Sequence, residues 1–402
     1  MCVIECEERE RTRERVESIY VRVRVRNMEE EKRTMRAAVF DRQGADPELL
    51  YVKEDMKKPM RDDLRKGELL IKVAFAGVNP VDFKQRQGEI PWFVMQPRPW
   101  IVGLECSGVV VAANIQKHDG DDNTTHTFAI GDRVATCVWP FLRSNGCCAE
   151  YVRVDANLCA LLWRGEGEAD ESNDTEEKMK KQRVSLEEAA AVPLCGLTAW
   201  QALEGLSHLG DGARILIHAG AGGVGLMAIQ IAKYRKYHVT TTCSAGNVDF
   251  LTNEVGADCV IDYTAAPFER QLAEGAPFDA VIDVIGGDYE HRSKSLLSCG
   301  GKYVHVINSG YVHLYKGNTI FAEAARTSAI IASFAKAFVR LGPWYSIVTV
   351  TPNGEQLRAL FALIAEGRVR VFVNSVLPLS DVRDAHAMME TRHTRGKIVL
   401  RL

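Results

Sequence analysis

The sequence contains eleven cysteines and ten histidines but no Cys-x-x-Cys pair and no His-x-x-x-His pair. Zinc-finger and zinc-ribbon patterns are thereby excluded. No apolar run approaches the ~18 residues a membrane-spanning helix needs. Net charge is only −3, so nothing draws the chain to nucleic acid or a membrane surface. The cysteines are odd in number, scattered, and not preceded by a secretory signal. They read as reduced thiols in a cytoplasmic setting. The first 34 residues are rich in glutamate, unlike the acid-poor transit peptides of organelles, although organellar import stays open.

With 46% hydrophobic and 26% charged residues, the 402-residue chain has the make-up of a soluble protein of two or three domains. Residues 1–34 stand apart: Glu5 to Glu17 mixes both signs densely, and Val21 to Arg26 alternates valine with arginine. The expectation is a solvated extension, with one added strand as the alternative. The acidic stretch 165–181 and residues 118–126 read as surface insertions.

The most informative segment is the apolar run Arg214 to Ala219, which meets Gly220-Ala221-Gly222-Gly223-Val224-Gly225 and then a helical pattern from Leu226 to Lys233. Strand, G-x-G-x-x-G and helix in this order fit a dinucleotide-binding turn. Gly220 would allow the tight turn, Gly222 the approach of a pyrophosphate, and Gly225 close packing of helix on strand. The helix start offers free N–H groups and a positive dipole end to phosphates. A purely structural turn is the alternative. Strand-like runs follow at His238 to Thr242, Cys259 to Ile261, Phe278 to Val284 and Lys302 to Val306. Repeated βαβ units of this kind imply a doubly wound, mostly parallel α/β sheet. The second run ends Thr242-Cys243-Ser244-Ala245-Gly246-Asn247, and the first carboxylate comes only at Asp249. With no anion to hold a ribose 2′-hydroxyl, NADP(H) is favoured over NAD(H).

Upstream the chain is β-rich at Met35–Phe40, 68–75, 103–112, 132–138 and 149–154, as in a barrel-like domain. Five segments then recur in order. They are Ala76-Gly77-Val78-Asn79-Pro80-Val81-Asp82-Phe83, Val102-Gly103-Leu104-Glu105-Cys106-Ser107-Gly108, Gly131-Asp132-Arg133-Val134, Leu194-Cys195-Gly196-Leu197-Thr198-Ala199-Trp200 and Arg395-Gly396-Lys397-Ile398-Val399-Leu400. Together with the glycine loop they resemble the medium-chain dehydrogenase/reductase superfamily, in its zinc-free, zeta-crystallin-like quinone oxidoreductase branch.

The resemblance implies a GroES-like β-barrel domain over 35–190 and 336–402, a Rossmann domain over 191–335, and a site in the cleft between them. Where zinc members carry ligands, this chain has Asn79, Leu104 and Cys195. An amide and a leucine do not replace thiolate and imidazole, so no metal is expected. Acceptors that spread incoming negative charge themselves, quinones or α,β-unsaturated carbonyls, then suit the site better than alcohols. Asn79 is expected to reach the nicotinamide amide or the acceptor oxygen, or merely to shape an Asn-Pro turn. Asp82 would orient that loop or relay a proton, or be a structural carboxylate. Glu105 reads as an ion-pair partner. Thr198 would meet the nicotinamide end or bond its own helix backbone.

Ser244, Asn247 and Tyr263 are candidates for a 2′-phosphate, although relatives often carry lysine where Asn247 stands. Gly286, Gly287, Val306, Ile307 and Asn308 end strands where cofactors pass. Arg395 and Lys397 would meet phosphate or be surface charges on a final edge strand. Lys233, Arg235 and Lys236 read as solvated charge or phosphate contacts. The tyrosine proton donor of enoyl-thioester reductases is missing from Gly88 to Phe93, and Trp92, Phe93 and Trp100 read as an aromatic wall or as core. An enoyl-thioester reductase with another proton donor, and a non-catalytic NADPH-binding sensor, remain the competing readings. A homodimer is implied by analogy alone.

Overall fold

The computed structural model describes residues 33–89, 98–115, 128–139, 146–165, 184–306 and 345–402. Residues 1–32 of the N-terminal extension, residues 118–126 and 166–181 of the insertions, Trp92, Phe93, Ile307 and Asn308 lie outside these residues. Among the described residues no helix is long and apolar enough to cross a membrane.

Among the described residues the first half builds eight strands: β1 (Thr34–Phe40), β2 (Tyr51–Lys57), β3 (Glu68–Val78), β4 (Trp100–Ile101), β5 (Glu105–Ala113), β6 (Arg133–Cys137), β7 (Tyr151–Asp155) and β8 (Cys159–Trp163). Helix α1 (Pro80–Gln87) follows β3. Helices α2 (Leu186–Ala190) and α3 (Pro193–Glu204) lead into the second half. There β9 (Arg214–Ile217), α4 (Gly223–Tyr234), β10 (His238–Cys243), β11 (Cys259–Asp262), α5 (Phe268–Gln271), β12 (Phe278–Asp283), α6 (Tyr289–Lys294), β13 (Leu297–Val306) and β14 (Tyr345–Val348) alternate. Helix α7 (Gly354–Ala365), β15 (Val373–Pro378), α8 (Val382–Glu390) and β16 (Lys397–Arg401) close the chain.

Six of these strands form a sheet in the order β11-β10-β9-β12-β13-β14, every neighbour parallel. The order reverses between β9 and β12, which opens a crevice at their carboxyl ends. Buried Ile215, Ile217 and Ile282 pack with Ile229 of α4 on one face and buried Leu216 and Val281 pack on the other, as a helix-covered sheet requires. The Rossmann arrangement expected from the sequence is present. Its extent differs. Strand β14 pairs with β13, and Tyr345 stacks on Tyr303 at 5.5 Å, so the sheet runs past the boundary expected at residue 335. Residues 307–344 part these two strands in sequence, which removes the regular βα spacing that marks the others.

The other large sheet runs β15-β16-β3-β5-β6-β8, with β7 also paired to β3, and β1, β2 and β4 form a small third sheet. Phe40 and Trp100, 5.0 Å apart, lie in the barrel core with Val110, Ile398 and Leu400. Trp100 is therefore a core residue and not part of an aromatic cleft wall. Strand β16 lies between β15 and β3, so the edge-strand alternative for Lys397 is also corrected, while Arg395 precedes the strand and is exposed. The same core that fills the parallel sheet takes in Ala135, Cys137 and Ala160 from β6 and β8 through Val192, Cys195 and Leu197. Helix α3 thus brings the start of one sheet against the other.

Candidate active site

At the crevice, β9 ends in Ile217, and Ala219 turns the chain with φ of 54°. The left-handed residue of the turn is this alanine, not Gly220. Gly220 is needed for space instead: a Cβ there would stand 2.2 Å from Thr241 Oγ1. At Gly225 a Cβ would lie 2.3 Å from the Ala219 carbonyl oxygen, so close packing of the helix on the turn after β9 requires glycine. Gly222 differs from both. Its φ of −77° suits any residue, and an added Cβ would meet nothing nearer than 3.4 Å. The protein leaves that face of the loop bare.

Gly222 caps α4, whose first N–H groups have no carbonyls behind them within the helix. Bare backbone beside a helix N-terminus fits a pyrophosphate. Val224 follows within the same first turn, and Gly223 packs inward, where a Cβ would meet Lys397 Cδ at 2.9 Å. On the far side, Gly286 adopts φ of 77° and donates its N–H to Asp283 at 3.0 Å. Val306 ends β13 beside it in the sheet order.

At the end of β10, Asn247 Nδ2 donates to Ser244 Oγ at 3.2 Å. Arg395 reaches across from the tail. Its Nε donates to Asn247 Oδ1 and its Nη2 to the Gly246 carbonyl, both at 2.8 Å, with the guanidinium 4.6 Å from the Phe250 ring centre. Tyr263 is exposed next to β11. Asp262, overlooked in the sequence, pairs in register with Cys243, but its carboxylate accepts Thr264 N–H and O–H and is held below the usual carboxylate range by those bonds. Lys233 and Lys236 pair with Asp258 and Asp211 at the opposite end of α4 from the glycine loop, and Arg235 donates to the Leu203 carbonyl there.

A buried polar cluster adjoins the loop. Pro80 sets the first turn of α1, and the Asp82 carboxylate accepts the Asn79 N–H at 2.7 Å. The Asp82 N–H donates to the Asn79 backbone carbonyl at 3.0 Å, and the Asn79 side chain makes no cap hydrogen bond. Its Nδ2 donates to Glu105 Oε1 at 2.7 Å. Lys397 Nζ donates to Asn79 Oδ1 (2.5 Å), Glu105 Oε1 (2.7 Å) and the Val78 carbonyl (3.0 Å). The other Glu105 oxygen accepts Leu194 N–H at the start of α3 (2.6 Å), a favourable place for a carboxylate. Gly77 makes room for it, since a Cβ there would stand 2.3 Å from Glu105 Oε1. Burial works against the Lys397 charge, but the Glu105 carboxylate holds the ammonium above its usual range.

Burial also pushes Asp82 up to about 7, and its Oδ1 has no hydrogen-bond partner among the described residues. Cys195 is pushed up to about 12 by burial, and its thiol donates to the Ala191 carbonyl at 3.1 Å. Such a protonated thiol behaves as a small apolar group. Leu104 is buried beside Glu105. Thr198 Oγ1 donates to the Leu194 carbonyl one turn back at 2.7 Å, the backbone-bonded alternative. Lys397 spends its ammonium on this cluster, which does not fit the phosphate contact expected from the sequence. Lys84, unweighed in the sequence, is buried beside Glu89 and drawn down to about 8 by burial. A lysine inside an otherwise buried helix face was the available signal.

Two family models match the chain: an alcohol dehydrogenase GroES-like domain over residues 65–167 and a zinc-binding dehydrogenase over 255–400. The NAD(P)H oxidoreductase RTN4IP1, mitochondrial, of Danio rerio is 30% identical over 356 residues, 83% of each chain. A quinone oxidoreductase from Coxiella burnetii aligns with TM-score 0.69 and 32% identity, over 92% of this chain and 99% of that one. A mycobacterial protein solved in complex with NADPH aligns with TM-score 0.66 and 27% identity, over 92% and 100%. The chain belongs to the medium-chain dehydrogenase/reductase superfamily, in its quinone oxidoreductase branch, and is an oxidoreductase of that family.

Proposed function

We propose that the protein is an NADPH-dependent reductase that passes a hydride to a quinone or an α,β-unsaturated carbonyl without a catalytic metal. The observation that carries this is the bare face of Gly222, set at the crevice beside a buried Asn79–Glu105–Lys397 cluster. Gly220, Gly222, Gly223, Val224 and Gly225 would hold the pyrophosphate; Ser244, Asn247, Tyr263 and Arg395 the 2′-phosphate; Gly286 and Val306 the nicotinamide side. When bound, the nicotinamide supplies the hydride.

The chain's own part is binding and charge. Arg395 brings a cation to the end of β10, where the Asp262 carboxylate is occupied by Thr264. Asn79 donates a hydrogen bond to the acceptor oxygen as negative charge builds there, and water returns the proton. Asp82 fixes the start of α1 and thereby Asn79. Thr198 shapes the cleft wall from α3. At the positions matching metal ligands stand an amide, a leucine and a protonated thiol, and the Lys397 ammonium would repel a second cation. The proposal includes a small-molecule acceptor, a compartment with reduced thiols, and a homodimer by family analogy.

Asn79→Ala tests it. Turnover of small quinones or alkenals is expected to fall by about 100- to 1,000-fold, the range for one lost oxyanion donor, with NADPH affinity unchanged. Unchanged turnover would remove Asn79 from the site. Reduction of crotonyl-type thioesters in place of quinones would favour the enoyl-thioester reading.

A further inference from the structure

Arg395, Gly396 and Lys397 are consecutive, yet they dock on three separate parts of the crevice. Arg395 lies on Gly246 and Asn247 at the end of β10. Gly396 donates its N–H to the Ala221 carbonyl at 3.0 Å and bridges to Gly222 in the glycine loop. Its φ of 81°, and the Phe372 carbonyl oxygen 2.3 Å from where a Cβ would sit, leave only glycine possible. Lys397 runs its stem along Gly223 and places all three ammonium protons on Val78, Asn79 and Glu105.

The consequence for Asn79 is specific. Its Oδ1 meets an ammonium and its Nδ2 a carboxylate, so the amide has one orientation only. An ammonium on the oxygen also draws electrons from the amide and strengthens its N–H groups as donors. Nδ2 carries two protons and donates one to Glu105. The second is the donor that remains.

We propose that Lys397 is a positioning residue for the reduction: it fixes and polarises the Asn79 amide, in a register that Gly396 sets against the glycine loop. This rests on the reading of Asn79 as the donor to the acceptor oxygen. Lys397 touches neither acceptor nor phosphate in this account and acts through Asn79 alone.

Lys397→Met alone would leave Glu105 buried and unpaired, which destabilises the fold. The test therefore uses the neutral pair Lys397→Met/Glu105→Gln, and separately Lys397→Arg, whose planar fork cannot place three donors from one nitrogen. Each is made in the full chain and again with Asn79→Ala. The measurements are kcat and KM for a small quinone and Kd for NADPH. Each variant is expected to lower kcat at least tenfold with NADPH Kd within threefold. In the Asn79→Ala background the same changes should cost less than a further threefold. Wild-type kcat in Lys397→Arg, losses that multiply with Asn79→Ala, or a loss confined to NADPH affinity would overturn the inference. Full turnover in Asn79→Ala alone would instead sink the functional reading beneath it.

Discussion

Lys397 Nζ lies 2.7 Å from Glu105 Oε1 although 292 residues separate them in the chain. The pair joins β16 to β5 inside the protein, and both groups are almost wholly buried. Removing one member of a buried ion pair leaves the other uncompensated. Glu105→Ala should therefore destabilise the fold by about 3–5 kcal/mol, read as a lower urea midpoint. It also removes the acceptor for Leu194 N–H at the start of α3. A change below about 1 kcal/mol would mean the pair behaves like a surface salt bridge.

Two glycines of the loop, Gly222 and Gly225, should separate by experiment. Gly222→Ala meets no protein atom nearer than 3.4 Å, so its melting temperature should stay near wild type while NADPH affinity falls at least tenfold. Gly225→Ala forces a Cβ to within 2.3 Å of a backbone oxygen and should cost roughly 1–3 kcal/mol of stability or more. Calorimetry with and without NADPH distinguishes the two. Equal destabilisation at both positions would make Gly222 a structural glycine.

Arg395 stands at the loop read as the 2′-phosphate site. Arg395→Gln should raise the Kd for NADPH by roughly 10- to 100-fold, as expected for a charge-assisted bond of about 1.5–3 kcal/mol. The Kd for NADH should not move. Equal weakening of both would place Arg395 in fold maintenance, through its contacts with Asn247 and Phe250.

Asp82 is pushed up to about 7 by burial. Its folded form holds a proton between pH 4 and 7 that the unfolded chain has already lost, so stability falls as pH rises through that window and levels off above it. Asp82→Asn should flatten this decline, measured as the urea midpoint from pH 4 to 8. An unchanged slope would show that Asp82 is ionised throughout.

The glycine loop and the first five strands of the parallel sheet were legible because local patterns carry them: short apolar runs, turn glycines, and a helix after each strand. Strand β14 was not, since residues 307–344 separate it from β13. Strands β2, β4, β8 and β15 carry no such pattern; β2 has four charged residues within Tyr51–Lys57 and is only half-buried. At the site, Asn79 and Glu105 could be named from their segments, but their bond to one another and to Lys397 spans 26 and 292 residues, beyond any local period. That is why Lys397 read as a phosphate contact. Thr198 shows the same limit, because its helix and its back-bonded hydroxyl both come from the residues around it while its neighbours across the crevice do not.

The central claim is that this crevice binds NADPH and delivers hydride to a conjugated acceptor. NADPH and NADH titrated in parallel into the full chain, followed by a small quinone or alkenal in the same cuvette, test it most directly. NADPH is expected to bind at least tenfold more tightly, and its near-ultraviolet absorbance to be lost on adding the acceptor. No binding of either nucleotide, or tight binding with no consumption by any such acceptor, would contradict it.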